Sequence, residues 1–223
     1  RFQLEGSDVF IEFIEEYYTI QSDLRDIISD KTYSSSTGDG VLTLFMSESN
    51  HKDGYTYVVS VHKKLQKLCD DFNTKNDTNI GFGIGADSGN VWSVGKDDLN
   101  TYVGTVINRS ARIEALTKGF GNTTTSIGNA LYKNLIEEFY NSSYKLMEGY
   151  DTYDELLDEN PVVVLISKNF MLQYVYDMLL SGIQINAPIF RLSESLVKKE
   201  GLIEEVILKL NPKKHNDIMD YIK

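Results

Sequence analysis

Apolar positions along this chain alternate between a helical and a strand period several times. Over 8–30, Phe10, Phe13, Ile14, Tyr17, Leu24, Ile27 and Ile28 recur at helical spacing behind Ser7, a residue type suited to an N-cap, and predict a first helix. "SSSTGDGVLTLF" (34–45) predicts two extended arms, the second with Val41, Leu42, Leu44 and Phe45, around a tight Gly38-Asp39-Gly40 turn. A second helix is expected over 55–73, with Val58, Val61, Leu65, Leu68, Cys69 and Phe72 on one face. "TNIGFGIGADSGNVWSVG" (78–95) alternates Ile80, Phe82 and Ile84, turns at Asp87-Ser88-Gly89-Asn90, and resumes with Val91 and Val94, which reads as a hairpin. A third helix follows over 104–117, then a short strand and a fourth helix over 123–139, and a buried Val/Ile/Leu strand over 160–167.

After Ser167 the pattern changes. Helical spacing returns at about 169–181, 193–209 and 213–222, with Pro188 as a connector between the first two. The reading is a main domain over 1–167 and a helical C-terminal extension over 168–223. The order of elements predicts an α+β fold, a mainly antiparallel sheet with helices on one face.

Composition narrows this picture. A chain of 223 residues with 41% apolar residues can bury a sizeable core. The single cysteine, Cys69, excludes an internal disulfide framework and suits a reducing compartment. No apolar run approaches the roughly 20 residues that span a bilayer, and no signal-peptide pattern opens the sequence, so no membrane partner is expected. The first residue is Arg1 rather than Met, and residues upstream of it are expected. A net charge of −11 without a basic stripe disfavours nucleic acid as a partner. It does not exclude small phosphates, which local cations, backbone amides and metal ions can hold against the global field.

Three features carry candidate chemistry. Asp39 sits between two glycines at a hairpin tip, where a carboxylate can share a hard Mg²⁺ ion with phosphate and water; the bland alternative is an ordinary turn aspartate. In "TYVGTVINRSARIEAL" (101–116), Asn108 and Arg112 lie at i and i+4 and project from one helix face. A guanidinium fork that cannot lose its charge suits a phosphoryl oxygen gaining charge in a transition state, and an amide can orient a sugar oxygen. A solvated helix face carries such pairs too. Gly83, Gly85 and Gly89 in "GIGADSG" permit close backbone approach, or simply belong to a hairpin.

The order and spacing of these features over about 5–140 resemble the class III nucleotide cyclase catalytic domain, which has a ferredoxin-like palm. "GTVINRSAR" is similar to the family's "G-x-x-V-N-x-A-x-R", with Ile107 before the Asn and Ser110 where Ala is usual. The resemblance implies an enzyme that converts a nucleoside triphosphate to a 3′,5′-cyclic monophosphate and pyrophosphate with two bound Mg²⁺ or Mn²⁺ ions. It implies that Asp39 is the second of two metal-binding aspartates, Asn108 orients the ribose and Arg112 stabilises the transition state. It also implies a homodimer with sites at the interface, metal ligands from one chain and Asn108 and Arg112 from the other.

The resemblance has departures. The strand bearing the first metal-binding aspartate has no counterpart before the first helix, which leaves either an incomplete N-terminus or a degenerate, regulatory cyclase-like module. The base-selecting positions fall on Ser35 and Thr101, which match neither the adenylate nor the guanylate pattern. They point instead to the pyrimidine cyclases of bacterial anti-phage (Pycsar) systems, cytoplasmic enzymes making cyclic CMP or UMP, with adenylate cyclase as the alternative. For a triphosphate-binding lysine, Lys145 is the sole candidate over 144–165. A GG[DE]EF hairpin is absent, since Val41 follows Gly40, and a diguanylate-cyclase relative is disfavoured. Trp92 is expected to be a packing residue rather than a stacking platform for a base, Tyr17 and Tyr18 to pack in the core, with lining of the dimer groove as the alternative for one of them, Cys69 to be buried, and His51, His62 and His215 to form no zinc site.

Overall fold

The structure, a computed structural model, describes residues 8–46, 51–95, 101–117, 123–128, 130–135, 172–180, 185–192, 204, 207–208 and 211–223; over 172–180 and 185–189 it describes the backbone. The chain forms two compact units, Arg1–Phe82 with Ile207–Lys223, and Gly83–Val206.

The first unit is built on two long helices, α1 (Asp8–Ile28) and α2 (His51–Asn76). The helical period predicted for both is present; α1 starts where expected and stops short of residue 30, and α2 extends beyond both ends of 55–73. Phe13, Ile20, Leu24 and Ile28 of α1 are buried, as are Val58, Val61, Leu65, Cys69 and Phe72 of α2. One cluster joins Phe13, Cys69 and Phe72, with Phe10, Ile14 and Phe82 packed around it, and the Phe13 and Phe72 rings lie tilted with centroids 4.9 Å apart. Between the helices lies the predicted hairpin, β1 (Thr32–Ser36) antiparallel to β2 (Val41–Phe45), in register from Thr32 opposite Phe45 to Ser36 opposite Val41. It is tied to α2 by the rings of Phe45 and Tyr57, 5.1 Å apart.

The second unit contains a four-stranded sheet of order β3-β6-β8-β7 and a two-stranded ribbon. The sheet strands are β3 (Phe82–Ala86, its first residue belonging to the first unit), β6 (Thr123–Gly128), β7 (Leu172–Leu180) and β8 (Ile185–Leu192). The ribbon pairs β4 (Trp92–Val94) with β5 (Thr101–Val103). Helix α3 (Thr105–Thr117) packs against β6, and α4 follows it, described over 130–135. Tyr132 of α4 stacks on Phe190 of β8, centroids 4.0 Å apart.

Two expectations are corrected. The segment predicted to be helical over 169–181 is β7, paired antiparallel with β8 from Leu172 opposite Leu192 to Leu180 opposite Ile185, with a register shift between Tyr174 and Tyr176. "LQYVYDMLL" is almost continuously apolar, so its period cannot separate helix from strand, and its Tyr and Val content favours the strand. Pro188, expected to connect helices, lies within β8 opposite Asp177. It stands one residue beyond the last pair with β6, Ile189 opposite Gly128, so its missing N–H removes no bond from that ladder. The second correction concerns 78–95. Strand β3 does not turn back onto β4; it pairs with β6, and β4 finds β5.

The remainder of the expected C-terminal helical extension ends in α5 (His215–Ile222), which packs on α1 and α2 in the first unit. Ile218, Met219 and Ile222 are buried there, Lys64 places its Nζ 4.6 Å from the Tyr221 ring centroid, and Asn211 donates to Asp53. Burial and the neighbouring Asp23 carboxylate push the Tyr221 phenol upward. The strand expected over 160–167 and Lys145 lie outside the described residues. Among the described residues, no helix is long and apolar enough to cross a membrane.

Candidate functional site

Asp39 stands exposed at the tip of the β1–β2 hairpin. The turn closes through the Thr37 amide donating to the Gly40 carbonyl, 2.8 Å. Gly38 has φ +93, a left-handed conformation that side-chain-bearing residues rarely adopt, so the first glycine of Gly38-Asp39-Gly40 is required by backbone geometry. The turn is also held from outside. The Tyr18 hydroxyl on α1 donates to the Gly38 carbonyl at 2.6 Å and lies 2.8 Å from Ser36 Oγ. Tyr18 was expected to pack in the core; its hydroxyl instead fixes the loop that presents Asp39. Nothing in its local spacing signals this, because the partner lies 20 residues away.

Ser35 is half-buried on β1, opposite Leu42. It borders an open cavity of about 240 Å³ shared with Tyr18, Gln21, Arg25, Ser34 and Ser36. The cavity wall is rich in hydroxyls and carries one cation, Arg25, which pairs with Asp26 at 2.7 Å and donates to Ser22 Oγ at 3.2 Å. Ser35 and Asp39 are thus brought onto one hairpin.

Thr101, Asn108 and Arg112 belong to the second unit. Thr101 is exposed on β5 opposite Val94. Strand alternation and the register Trp92–Val103 and Val94–Thr101 set Trp92, Val94, Thr101 and Val103 on one face of the ribbon. Trp92 is 60% exposed, which overturns its expected packing role; a period of two assigns residues to a face without saying which face is covered. Asn108 and Arg112 are both exposed on the outer side of α3, while Val106, Ile113 and Thr117 are buried on the inner side.

Helix α3 reaches its position over glycines. A Cβ on Gly85 would collide with the Glu114 amide and the Ser110 carbonyl, and one on Gly83 with the Thr117 hydroxyl. The two glycines of β3 therefore form a seat for α3, Gly85 under its backbone and Gly83 under the Thr117 and Glu114 side chains. Gly104 opens the helix where a Cβ would meet the Asn90 carbonyl. Beyond β3, Asp87 is almost wholly buried, its side chain 3% exposed. One carboxylate oxygen accepts from the amides of Ser88, 2.9 Å, and Leu131, 3.2 Å; the other accepts from Arg109 Nε. Arg109 Nη2 donates to the Ser88 carbonyl, 2.8 Å, and Asn134 to Ser88 Oγ, 2.9 Å. This corner explains why the predicted turn at 87–90 is not a hairpin: its aspartate is bound to α3 and to the start of α4.

Asp39 can supply one carboxylate to a phosphate-borne Mg²⁺ or Mn²⁺. Among the described residues no cluster of three or more His, Cys, Asp or Glu stands ready to hold a metal, and Asp39 is the one expected metal ligand that they include. Cys69 is buried, as expected, and burial with the neighbouring Asp70 pushes its thiol up to about 11.

No family model and no curated protein matches the chain. The fold is similar to that in the crystal structure of the adenylyl cyclase CyaB from P. aeruginosa, at 12% identity and a TM-score of 0.55, with 86% of each chain covered. The chain therefore has a cyclase-like α+β fold with antiparallel strands.

Proposed function

We propose that this chain is a nucleotide cyclase. The observation that carries the reading is α3: seated on the glycines of β3, it holds its inner face buried and presents Asn108 and Arg112 together on the outside. A helix that turns an amide and a permanent cation the same way is suited to in-line phosphoryl transfer. In the reaction, the ribose 3′-oxygen would form a bond to the α-phosphorus as the bond to the bridging oxygen breaks. Pyrophosphate leaves with that electron pair, and the hydroxyl proton passes to solvent or a base. Asn108 would orient the ribose, and Arg112 would meet charge developing on the phosphoryl oxygens. A bound Mg²⁺ or Mn²⁺ would neutralise the triphosphate, with Asp39 as a ligand.

The residues of the reading fall in both compact units, Ser35 and Asp39 in one and Thr101, Asn108 and Arg112 in the other. A homodimer that combines Asp39 of one copy with Asn108 and Arg112 of its partner is the assembly we propose, with the exposed Trp92, Val94 and Val103 available for its contact. Ser35 and Thr101 replace charged base-selecting groups with neutral hydroxyls. This supports a pyrimidine nucleotide as substrate, and with it a cytoplasmic signalling role in anti-phage defence. Adenylate cyclase is the second reading, favoured by the activity of the structural neighbour.

The test is incubation of the protein separately with ATP, GTP, CTP and UTP plus Mn²⁺, with products identified by mass. Cyclic CMP or UMP is the expected product. Cyclic AMP would keep the mechanism and overturn the base assignment. A full-length protein that turns over none of the four would replace the enzyme with a cyclase-like regulatory or dimerisation module.

A further inference from the structure

The glycine seat solves one problem for α3 and creates another. Helices normally fix their rotation on a sheet by interlocking side chains. Where Gly85 meets α3, there is no side chain on the strand to interlock, and the contact falls on the helix backbone itself, while Gly83 faces the Thr117 and Glu114 side chains. Closeness is gained at Gly85, and angular register rests on the contacts made elsewhere, the buried Val106 and Ile113 among them. The second unit contains a group suited to supply it. Arg109 lies one residue after Asn108 and three before Arg112, and its guanidinium grips both the Asp87 carboxylate and the Ser88 carbonyl at the end of the same strand. Asp87 is itself fixed by the amides of Ser88 and Leu131, and its carboxyl fills the space where a Cβ on Gly128 would lie. The carboxylate thus sits where β3, α3, β6 and α4 converge.

We infer that Asp87 and Arg109 are positioning residues: their ion pair is the pin that sets the rotation of α3 and so aims Asn108 and Arg112. The inference rests on the proposed cyclase reading for its consequence in catalysis, and on the Asp87–Arg109 geometry for the pin itself. Rotating α3 by about 20° would move a group at the helix's outer radius, about 5–6 Å, by about 2 Å. A misplacement of about 1 Å can cost about a hundredfold in rate. Neither residue needs to touch substrate for the pair to govern turnover.

Arg109→Lys keeps the charge and loses the fork that spans Asp87 and Ser88; Asp87→Asn keeps the shape and an acceptor for the amides and loses the charge. Both are compared with wild type at a temperature where circular dichroism shows full folding. The expected result is a fall in kcat of about tenfold or more, with KM for the triphosphate within about twofold and the Mn²⁺ requirement unchanged. The double variant should be no worse than the poorer single one, because both break one pin. Hydrogen exchange gives a readout free of activity: amides over 106–113 should exchange faster in both variants than in wild type. Folded variants that keep wild-type kcat, or α3 amides that exchange as in wild type, would overturn the pin. An inactive wild type, or an Arg112→Ala variant with full turnover, would instead overturn the cyclase reading, and the exchange measurement would still decide whether the pin exists.

Discussion

At the β1–β2 turn, the candidate carboxylate rides on a short loop whose link to its own unit includes one phenol, Tyr18, on the Gly38 carbonyl. On α3, the candidate amide and guanidinium ride on a 13-residue helix whose backbone rests on a strand at Gly85 and whose flank is tied by an ion pair to the buried Asp87. The difference follows the chemistry asked of each. A metal ligand can tolerate adjustment, because the ion takes its other ligands from phosphate and water. Groups that must meet developing charge cannot, since preorganisation is the source of their effect. The stiffer support therefore lies under Asn108 and Arg112.

The largest expected effects test whether both corners serve one reaction. Arg112→Ala and Asp39→Ala should each lower turnover by at least about a hundredfold while leaving the melting temperature and the oligomeric state unchanged; one variant retaining near-native turnover would separate the corners. Next comes Gly85→Ala. Its methyl would meet α3 backbone, which cannot step aside, and a loss of about 2–3 kcal/mol in urea unfolding is expected. Stability within a few tenths of wild type would mean α3 is not seated on the strand.

Tyr18→Phe sharpens the contrast from the weaker side. Losing one phenolic hydrogen bond should cost about 1 kcal/mol or less in stability, raise the Mn²⁺ concentration needed for half-maximal turnover, and leave hydrogen exchange in α3 unaltered. An equal disturbance of α3 would show that the two corners are not independently supported.

The smallest effect concerns the surroundings of Asp53, whose carboxyl burial pushes above its ordinary range, with Lys214 opposing. A raised folded-state pKa means that the folded protein binds the proton more tightly than the unfolded chain. Stability from this group is therefore gained as pH falls through the raised value toward the ordinary carboxylate range, and is absent at neutral pH. Asp53→Asn should flatten the change in melting temperature over that interval; an unchanged slope would remove Asp53 from the account.

Much of the local structure was legible in the sequence because its causes are local. The helical period of Phe13, Leu24 and Ile28, the Gly38 turn and the burial of Cys69 need only neighbours a few residues away. The same holds for the shared face of Asn108 and Arg112, which helix geometry dictates from their spacing alone. The failures share the opposite cause. Strand β7 was taken for a helix because a nearly continuous apolar run has no decisive period, and its pairing with β8 settles the matter. Strand β4 was assigned to β3 because a turn signal shows that a chain bends, not what it bends toward.

For this protein, sequence by itself determined the α+β class, the principal helices of the first unit, the hairpin bearing Asp39 and the helix bearing Asn108 and Arg112. Tertiary structure alone decided the strand order, the exposure of Trp92, the docking of α5, the bond from Tyr18 to Gly38 and the gathering of α3, β6 and α4 around Asp87. The physical reason is range. Backbone preferences and side-chain periodicity act over a few residues, whereas the Asp87 contacts join groups 22 and 44 positions apart and exist only once the chain has closed the loops between them.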